Sequence, residues 1–257
     1  MLKHRYIQVV SIVSCLIVVI GMLFYDWTIY WFVLIGLIAL GLTTWGVFDI
    51  RLGYFGKTFF KAKDIGENNI SLTFDDGPCP YTLQVLDLLD QYKMKATFFC
   101  IGKQLTQYPE IAKRIIAEGH SIGNHSYTHK KDIAFSSPKE MEGEIQQTDD
   151  MIEKITGQNN SMYRPPFGVT NPNVVKACKA KSKDIIGWNI RSLDTVINNE
   201  DRILKRIVPR LKAGDIVLLH DTSQRTVNVL EQLLIKMKEL NLQSIPVDRL
   251  LKIERNG

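Results

Sequence analysis

Two long stretches without a charged residue at the start of the chain constrain the fold most strongly. Residues 7–25 and 28–48 contain no Asp, Glu, Lys or Arg, and only Asp26 and Trp27 separate them. At a rise of about 1.5 Å per helical residue, each stretch is about long enough to cross a hydrocarbon core of about 30 Å. We therefore predict a hairpin of two transmembrane helices, about 7–25 and 28–48, in a first domain of residues 1–52. A cleaved signal peptide is the alternative, but no small-residue cleavage site precedes the second stretch.

The charges that flank the two stretches predict how the hairpin is oriented. The connection carries only Asp26, whereas cations lie outside both stretches: Lys3, Arg5, Arg51, Lys57, Lys61 and Lys63. Positively charged flanks stay in the cytoplasm, so we expect a multi-pass protein of the cell (inner) membrane with both ends of the hairpin, and therefore the second domain, in the cytoplasm. Membrane lipid is then a partner through the hairpin, and the cations near Arg51 suit anionic headgroups.

The overall composition excludes several classes of protein. With 45% hydrophobic and 23% charged residues among 257, the chain is not disordered or collagen-like. Its net charge of +5 is small and scattered, so no nucleic-acid partner is expected. Four cysteines, one of them within the first apolar stretch, indicate no disulfide framework. No protein partner is predictable from the sequence.

Beyond a linker at 53–69, short β-rich runs alternate with helical patterns through a second domain at 70–257. Helix signals punctuate the pattern, with Ser137-Pro138 and Glu140 typical of a helix start and Thr156-Gly157 of a helix end. Such alternation indicates an α/β fold, and about seven repeats favour a distorted parallel (β/α) barrel over an open doubly wound sheet. The predicted strands are 70–74, 96–101, 121–124, 162–164, 184–188, 215–219 and 243–246.

Reactive side chains are concentrated just after these strands, where an α/β barrel carries its active site. His125 and His129 are four residues apart, so on one helical turn their imidazoles would share a face and a cation. With Asp76 as a third ligand, they would leave one coordination position open for water, as catalytic zinc requires. His220 and Asp221 follow the sixth strand.

Five groups of these residues resemble, in order, the motifs of the polysaccharide deacetylases, the NodB-like family-4 carbohydrate esterases. They are Thr73-Phe74-Asp75-Asp76-Gly77-Pro78, His125-Ser-Tyr-Thr-His129, Arg164-Pro-Pro-Phe167-Gly168, Asp194 and Leu218-Leu-His220. The resemblance covers about residues 68–250, without the hairpin. It implies a NodB-like barrel and a hydrolase that removes N-acetyl groups from amino sugars of a glycan, such as peptidoglycan or chitooligosaccharide.

The resemblance also implies a role for each matched residue. Asp76, His125 and His129 would hold one divalent metal ion, Zn²⁺ first, with Co²⁺, Ni²⁺ or Mn²⁺ as alternatives. Asp75 would be the general base, oriented by Arg164, and His220 the general acid, oriented by Asp194. A backbone N–H near Phe167 would support the oxyanion, and Leu218 would line the pocket for the acetyl methyl group.

Two departures from the family pattern leave the substrate open. Arg191 and Thr195 stand where the fourth motif commonly has Asp and Trp, which would make the acyl pocket less aromatic. Glycans of the cell wall also lie outside the membrane, whereas the charge bias predicts a cytoplasmic domain. Two alternatives therefore remain, a deacetylase or deformylase of a lipid-linked amino sugar at the membrane face, and an inactive carbohydrate-binding membrane module.

Overall fold

The computed structural model describes residues 3–63 and 68–253. It begins with two antiparallel helices, α1 (His4–Phe24) and α2 (Tyr30–Phe48), joined by a short connection in which Trp27 packs against Gly21. Both helices are long and apolar enough to cross a membrane, and only 11% and 6% of their apolar windows are buried. The core helix of a water-soluble protein would be mostly buried, so these two helices have the exposure of membrane spans or of a signal sequence.

After the hairpin, the described residues contain one curled sheet, covered by helices, whose strands are all parallel to their neighbours. In the described residues the strands follow the order β1-β6-β5-β4-β3-β2-β8-β7, and β9 pairs with the start of β2. The bounds are β1 Thr58–Phe59, β2 Asn69–Asp75, β3 Thr97–Cys100, β4 Ser121–Asn124, β5 Met162–Tyr163, β6 Asp184–Ile186, β7 Ile190–Arg191, β8 Ile216–His220 and β9 Gln243–Ser244.

The connection between β6 and β7 shows how strongly the sheet curls. These strands lie near opposite ends of the strand order, yet only residues 187–189 join them. Four extended residue steps reach at most about 14 Å, so the two edges must approach each other. The predicted distorted parallel barrel is confirmed, and within residues 3–63 and 68–253 no strand pairing between its two edges closes it. All seven predicted strands are present, and the two short strands β1 and β7 were not predicted.

Helices cover the outside of the curled sheet and bury its apolar side chains. Their bounds are α3 Pro80–Gln91, α4 Gly102–Gln107, α5 Pro109–Ala117, α6 Pro138–Thr156, α7 Pro172–Ala180, α8 Glu200–Ile207, α9 Gln224–Glu239 and α10 Val247–Leu251. The expected start of α6 is confirmed by a capping box between Ser137 and Glu140, and its expected end by Gly157 in the left-handed conformation. A stacked pair, Phe74 and Phe98, packs between neighbouring strands in the core.

The predicted linker at 53–69 is partly structured. Its residues 58–59 form β1, which pairs with β6, and Lys61 makes an isolated bridge with Asp215. Residues 64–67 of that linker, together with 1–2 and 254–257 of the predicted domains, lie outside the described residues. The division into hairpin, linker and catalytic domain is retained as a proposal.

Candidate active site

The parallel strands bring the predicted site residues to one edge of the sheet. β2 ends at Asp75, which lies in register with His220 at the end of β8. On the other side of the sheet, Asn124 at the end of β4 lies opposite Tyr163, the last residue of β5. The next residues along each chain segment are Asp76, His125 and Arg164. Asp194 follows three residues after β7 ends at Arg191, so all five motifs reach the carboxyl end of the barrel.

Asp76, His125 and His129 form a cluster of three ligand atoms that lie within 4.8 Å of one another. Oδ1 of Asp76 is 3.5 Å from Nε2 of His125 and 3.4 Å from Nε2 of His129. Two ligand atoms that are each about 2.0–2.1 Å from a tetrahedral zinc ion lie about 3.3 Å apart. The same Oδ1 is buried without a hydrogen-bond partner in the described part of the chain. These residues therefore fit a divalent cation of this size.

Neighbouring histidines keep the carboxyl of Asp76 in the charged form that binds cations. Burial alone would raise the pKa of its carboxyl, but the interactions with His125 and the charges of His220 and His129 lower the pKa to about 2. The carboxyl is therefore ionised at neutral pH. Asp76 also has a positive φ of 77°, a conformation that costs free energy for a residue other than glycine and is typical of functional sites.

The ring of His125 is fixed from its far side. Its Nδ1 is 2.8 Å from the carbonyl oxygen of Arg164. A carbonyl oxygen only accepts hydrogen bonds, so Nδ1 carries a proton, and in the neutral ring Nε2 keeps a lone pair that could bind a cation beside Asp76. The ring of His125 is buried and packs at 4.9 Å from the ring of His129.

The expectation that His125 and His129 share one helical turn was wrong. They lie in a loop in which Ser126 and His129 have positive φ values of 65° and 49°. The Asn124 side chain accepts from the N–H of Ser126, and the Ser126 hydroxyl accepts from the N–H of His129. Glu144 on α6 accepts from the N–H groups of residues 127 and 128. Local hydrogen bonds to the loop backbone thus replace the helical ladder while keeping the two rings together.

Asp75 lies beside the cluster and is held by a buried arginine. Nη1 of Arg164 donates to Oδ1 of Asp75 at 2.7 Å and to the hydroxyl of Thr73 at 2.8 Å. Arg164 is fully buried, donates to the carbonyls of residues 186 and 187, and stacks 4.0 Å above the ring of Phe99. With Oδ1 bound to Arg164, Oδ2 of Asp75 faces the site, 3.7 Å from Nε2 of His125.

His220 and Asp194 form a second charged pair at the open, carboxyl end of the barrel, which we call the mouth. Nδ1 of His220 is 2.9 Å from Oδ1 of Asp194, and Oδ2 accepts from the backbone N–H of His220. Burial would lower the pKa of His220, but the hydrogen bond and charge of Asp194, followed by the charges of Asp75 and Asp76, raise it to about 9. Ser192 and Thr226 also donate to this carboxylate. The imidazolium can therefore offer its Nε2 proton at neutral pH.

The remaining predicted residues lie at different depths. Phe167 is half exposed with a positive φ of 60°, and its ring is 4.8 Å from that of His129. Leu218 is buried in β8 within the same apolar cluster as Trp188. Arg191 lies 5.9 Å from the Trp188 ring, and Thr195 is exposed. The proposed roles of Phe167 and Leu218 therefore remain predictions.

Sequence reasoning assigned no role to Asp221, which the structure places among the site groups. Its carboxyl is buried, accepts from Thr82, and packs directly against Gly77, where any larger residue would collide with it. Burial, together with the charge of Asp76, raises its pKa to about 7. Only its position after His220 in the sequence pointed to this residue. Glu144 had no local signal at all, because its partners come from a different segment.

Comparisons with known proteins agree with this geometry. The sequence profile described as polysaccharide deacetylase matches residues 62–184. The peptidoglycan-N-acetylglucosamine deacetylase of Bacillus cereus is 37% identical over 192 residues, which cover 72% of this chain and 89% of that protein. The peptidoglycan-N-acetylmuramic acid deacetylase PdaC of Bacillus subtilis is 33% identical over 193 residues, covering 75% of this chain but 40% of PdaC.

A solved structure gives the same result for the fold. The crystal structure of the Bc1960 peptidoglycan N-acetylglucosamine deacetylase has a TM-score of 0.73 and 27% identity, and the match covers 78% of this chain and 95% of that one. Sequence, fold and the order of the reactive groups along the sheet thus lead to one assignment. The chain belongs to the polysaccharide deacetylases, the NodB-like family-4 carbohydrate esterases, a family of hydrolases that includes peptidoglycan and chitooligosaccharide deacetylases and also a pseudoenzyme.

Proposed function

We propose that this protein is a metal-dependent deacetylase that hydrolyses the N-acetyl group of an amino sugar in a glycan. The observation that carries the proposal is the convergence of Asp76, His125 and His129 beside two separate acid and base candidates. The deacetylase names of the relatives support the same substrate chemistry.

Asp76, His125 and His129 would hold the cation, with zinc as the first choice because two imidazoles and one carboxylate match its ligand preference. When bound, such an ion lowers the pKa of water and polarises a carbonyl. Oδ2 of Asp75 takes the proton from the attacking water, while Arg164 keeps that carboxylate oriented. The water oxygen adds to the acyl carbon, and the backbone N–H at Phe167 donates to the oxyanion.

His220 acts as the general acid, on the side of the site opposite the general base Asp75. Its Nδ1 is bound to Asp194, so Nε2 donates a proton to the sugar nitrogen as the C–N bond breaks. The products are acetate and a free amine on the sugar, and the proton taken by Asp75 balances the one given by His220. A formyl group would follow the same course and would release formate.

We also propose that the two helices of the hairpin, α1 and α2, span the cell membrane and that the barrel lies on the cytoplasmic side. The cations at both ends of the hairpin support this orientation. Protease access to the barrel in sealed vesicles, or reporter fusions after residue 257, would test the side. An extracellular barrel would restore cell-wall glycans as the leading substrates.

The central test is acetate release from N-acetylglucosamine oligomers by the full chain in detergent. Removing metal should abolish release, and adding Zn²⁺, Co²⁺, Ni²⁺ or Mn²⁺ in turn should show which ion restores it. Asp75→Asn should remain inactive with any ion, whereas Asp90→Asn, on the exposed face of α3, should retain activity. Release by metal-free Asp75→Asn would contradict the mechanism. Sugar binding without acetate or formate release under any condition would favour a carbohydrate-binding module.

A further inference from the structure

The membrane hairpin is hydrogen-bonded directly to the loops that form the active site. The N–H of Thr170, three residues after Phe167, donates to the carbonyl of Val47 in the last turn of α2 at 3.0 Å. Ile50 is buried against Gly187, whose carbonyl accepts from the arginine that holds Asp75. The end of α2 therefore lies at the carboxyl edge of β5 and β6, where the site opens.

The mouth of the barrel next to this junction exposes large apolar side chains. Phe135 is 90% exposed, Val196 70% and Phe167 50%, and all three lie in loops that follow the carboxyl ends of strands. The short turn that carries Phe135 is tied to the hairpin side, because Asn171 donates to the carbonyl of Ala134 at 2.6 Å, next to Thr170. By contrast, the exposed Ile235 lies on α9, on the outside of the barrel.

Cations surround the foot of the hairpin. Lys3, at the start of α1, donates to the carbonyl of Gly53, so both ends of the hairpin meet there. Together with Arg51 and Lys57 it lines a cleft beside Phe55 and Phe60. Cations and aromatic rings at the end of a span are typical of the headgroup level of a membrane.

We propose that the active-site mouth faces the lipid surface that anchors the hairpin, and that the substrate is an amino sugar carried on a membrane lipid. This inference rests on the proposed function and on the proposed spans, and it names the substrate class. A mouth held at the headgroup level by α2, with Phe135 and Val196 inserted among the lipids, receives sugars attached to lipid and disfavours long soluble glycans.

The orientation can be measured without any activity. Nitroxide labels would be attached at Phe135→Cys, Val196→Cys and, as the control, Ile235→Cys, in the full chain reconstituted into phosphatidylglycerol–phosphatidylcholine vesicles. The background would carry Cys15→Ala and Cys79→Ser, because the other two cysteines are buried. Oxygen and nickel-chelate accessibility should place the labels at 135 and 196 within about 5–10 Å of the headgroup–acyl boundary, and the label at 235 in water.

The substrate is tested with two probes, a synthetic dialkyl-glycerol phosphate bearing N-acetylglucosamine, placed in the same vesicles, and soluble N-acetylchitotetraose. The lipid-borne sugar should be deacetylated preferentially. Phe135→Ser should reduce the preference for the lipid-borne sugar about tenfold, because it removes an aromatic ring that the lipid would otherwise cover. Ile235→Ser should leave this preference unchanged.

Water-exposed labels at positions 135 and 196, or a preference for the soluble oligomer, would overturn the inference and leave the proposed function standing. If the metal-loaded protein releases acetate from neither probe, the proposed function and the substrate class fail together. The nitroxide depths would still decide the orientation in that case.

Discussion

The pair formed by His220 and Asp194 supports a quantitative prediction about pH. Replacing Asp194 by Asn removes the largest of the interactions that raise the pKa of His220 to about 9, while the opposing effect of burial stays. The pKa of His220 should therefore fall to about 6.5 or below. At pH 8 the acid form would decline from about 90% to about 3% or less, so kcat/KM should fall at least about 30-fold. At pH 5.5 both proteins carry the imidazolium, and the difference should be small.

The assay is the pH dependence of kcat/KM for acetate release by the metal-loaded full chain. The alkaline limb should move from about pH 9 in the original protein towards pH 6.5 in Asp194→Asn. Thr226→Val is the matched control, because it removes one hydrogen bond from Asp194 but keeps the charge, and its alkaline limb should barely move. A loss of activity in Asp194→Asn that is equal at pH 5.5 and pH 8 would refute the reasoning.

The same pair predicts how folding depends on pH. The charged imidazole is the form that Asp194 stabilises, so the pair's contribution to the free energy of unfolding is complete below pH 6.5 and is lost as the pH rises through about 9. Urea unfolding of the original protein should show this loss, and Asp194→Asn should not. If the free energy of unfolding depended on pH in the same way in both proteins, Asp194 would not be the partner that stabilises the charged His220.

Three further substitutions have defined outcomes. His129→Ala should leave the purified protein without stoichiometric metal by elemental analysis and without acetate release; full metal content would contradict the ligand set. Arg164→Leu should lower the free energy of unfolding by about 3–5 kcal/mol in urea titration, because it leaves the buried Asp75 carboxylate unpaired, and a loss below about 1 kcal/mol would contradict that pairing. The raised pKa of Asp221, about 7, means that metal-free protein loses stability as the pH rises towards 7, so Asp221→Asn should flatten this dependence in urea titrations between pH 5 and pH 8. An unchanged slope would mean that Asp221 is already ionised in the folded protein.

Much of the barrel was predictable because strands and helices leave periodic patterns in the sequence. The seven predicted strands are all present, and the capping box at Ser137 marks the true start of α6. β5 and β9 are equally short but lie within predicted runs, whereas β1 lies in the predicted linker and β7 begins two residues after the predicted run 184–188. β1 and β7 were therefore missed, and the structure identifies them by their pairing with β6 and β8. The helical turn predicted for His125 was wrong for a related reason, since Glu144, 19 positions along the chain, stabilises a loop there instead.

Some features of this protein follow from local sequence, whereas others arise only when distant segments pack together. Its sequence determined the apolar hairpin, the strand and helix alternation and the five reactive motifs, because each depends on residues close together along the chain. Only the tertiary structure decided which atoms meet: that Oδ2 of Asp75 faces the ligand cluster, that Asp221 is buried beside Gly77, and that the second apolar helix ends at the active-site mouth. These contacts join segments up to about 140 residues apart, and distances of that kind are fixed by the curl of the sheet and by the packing around it.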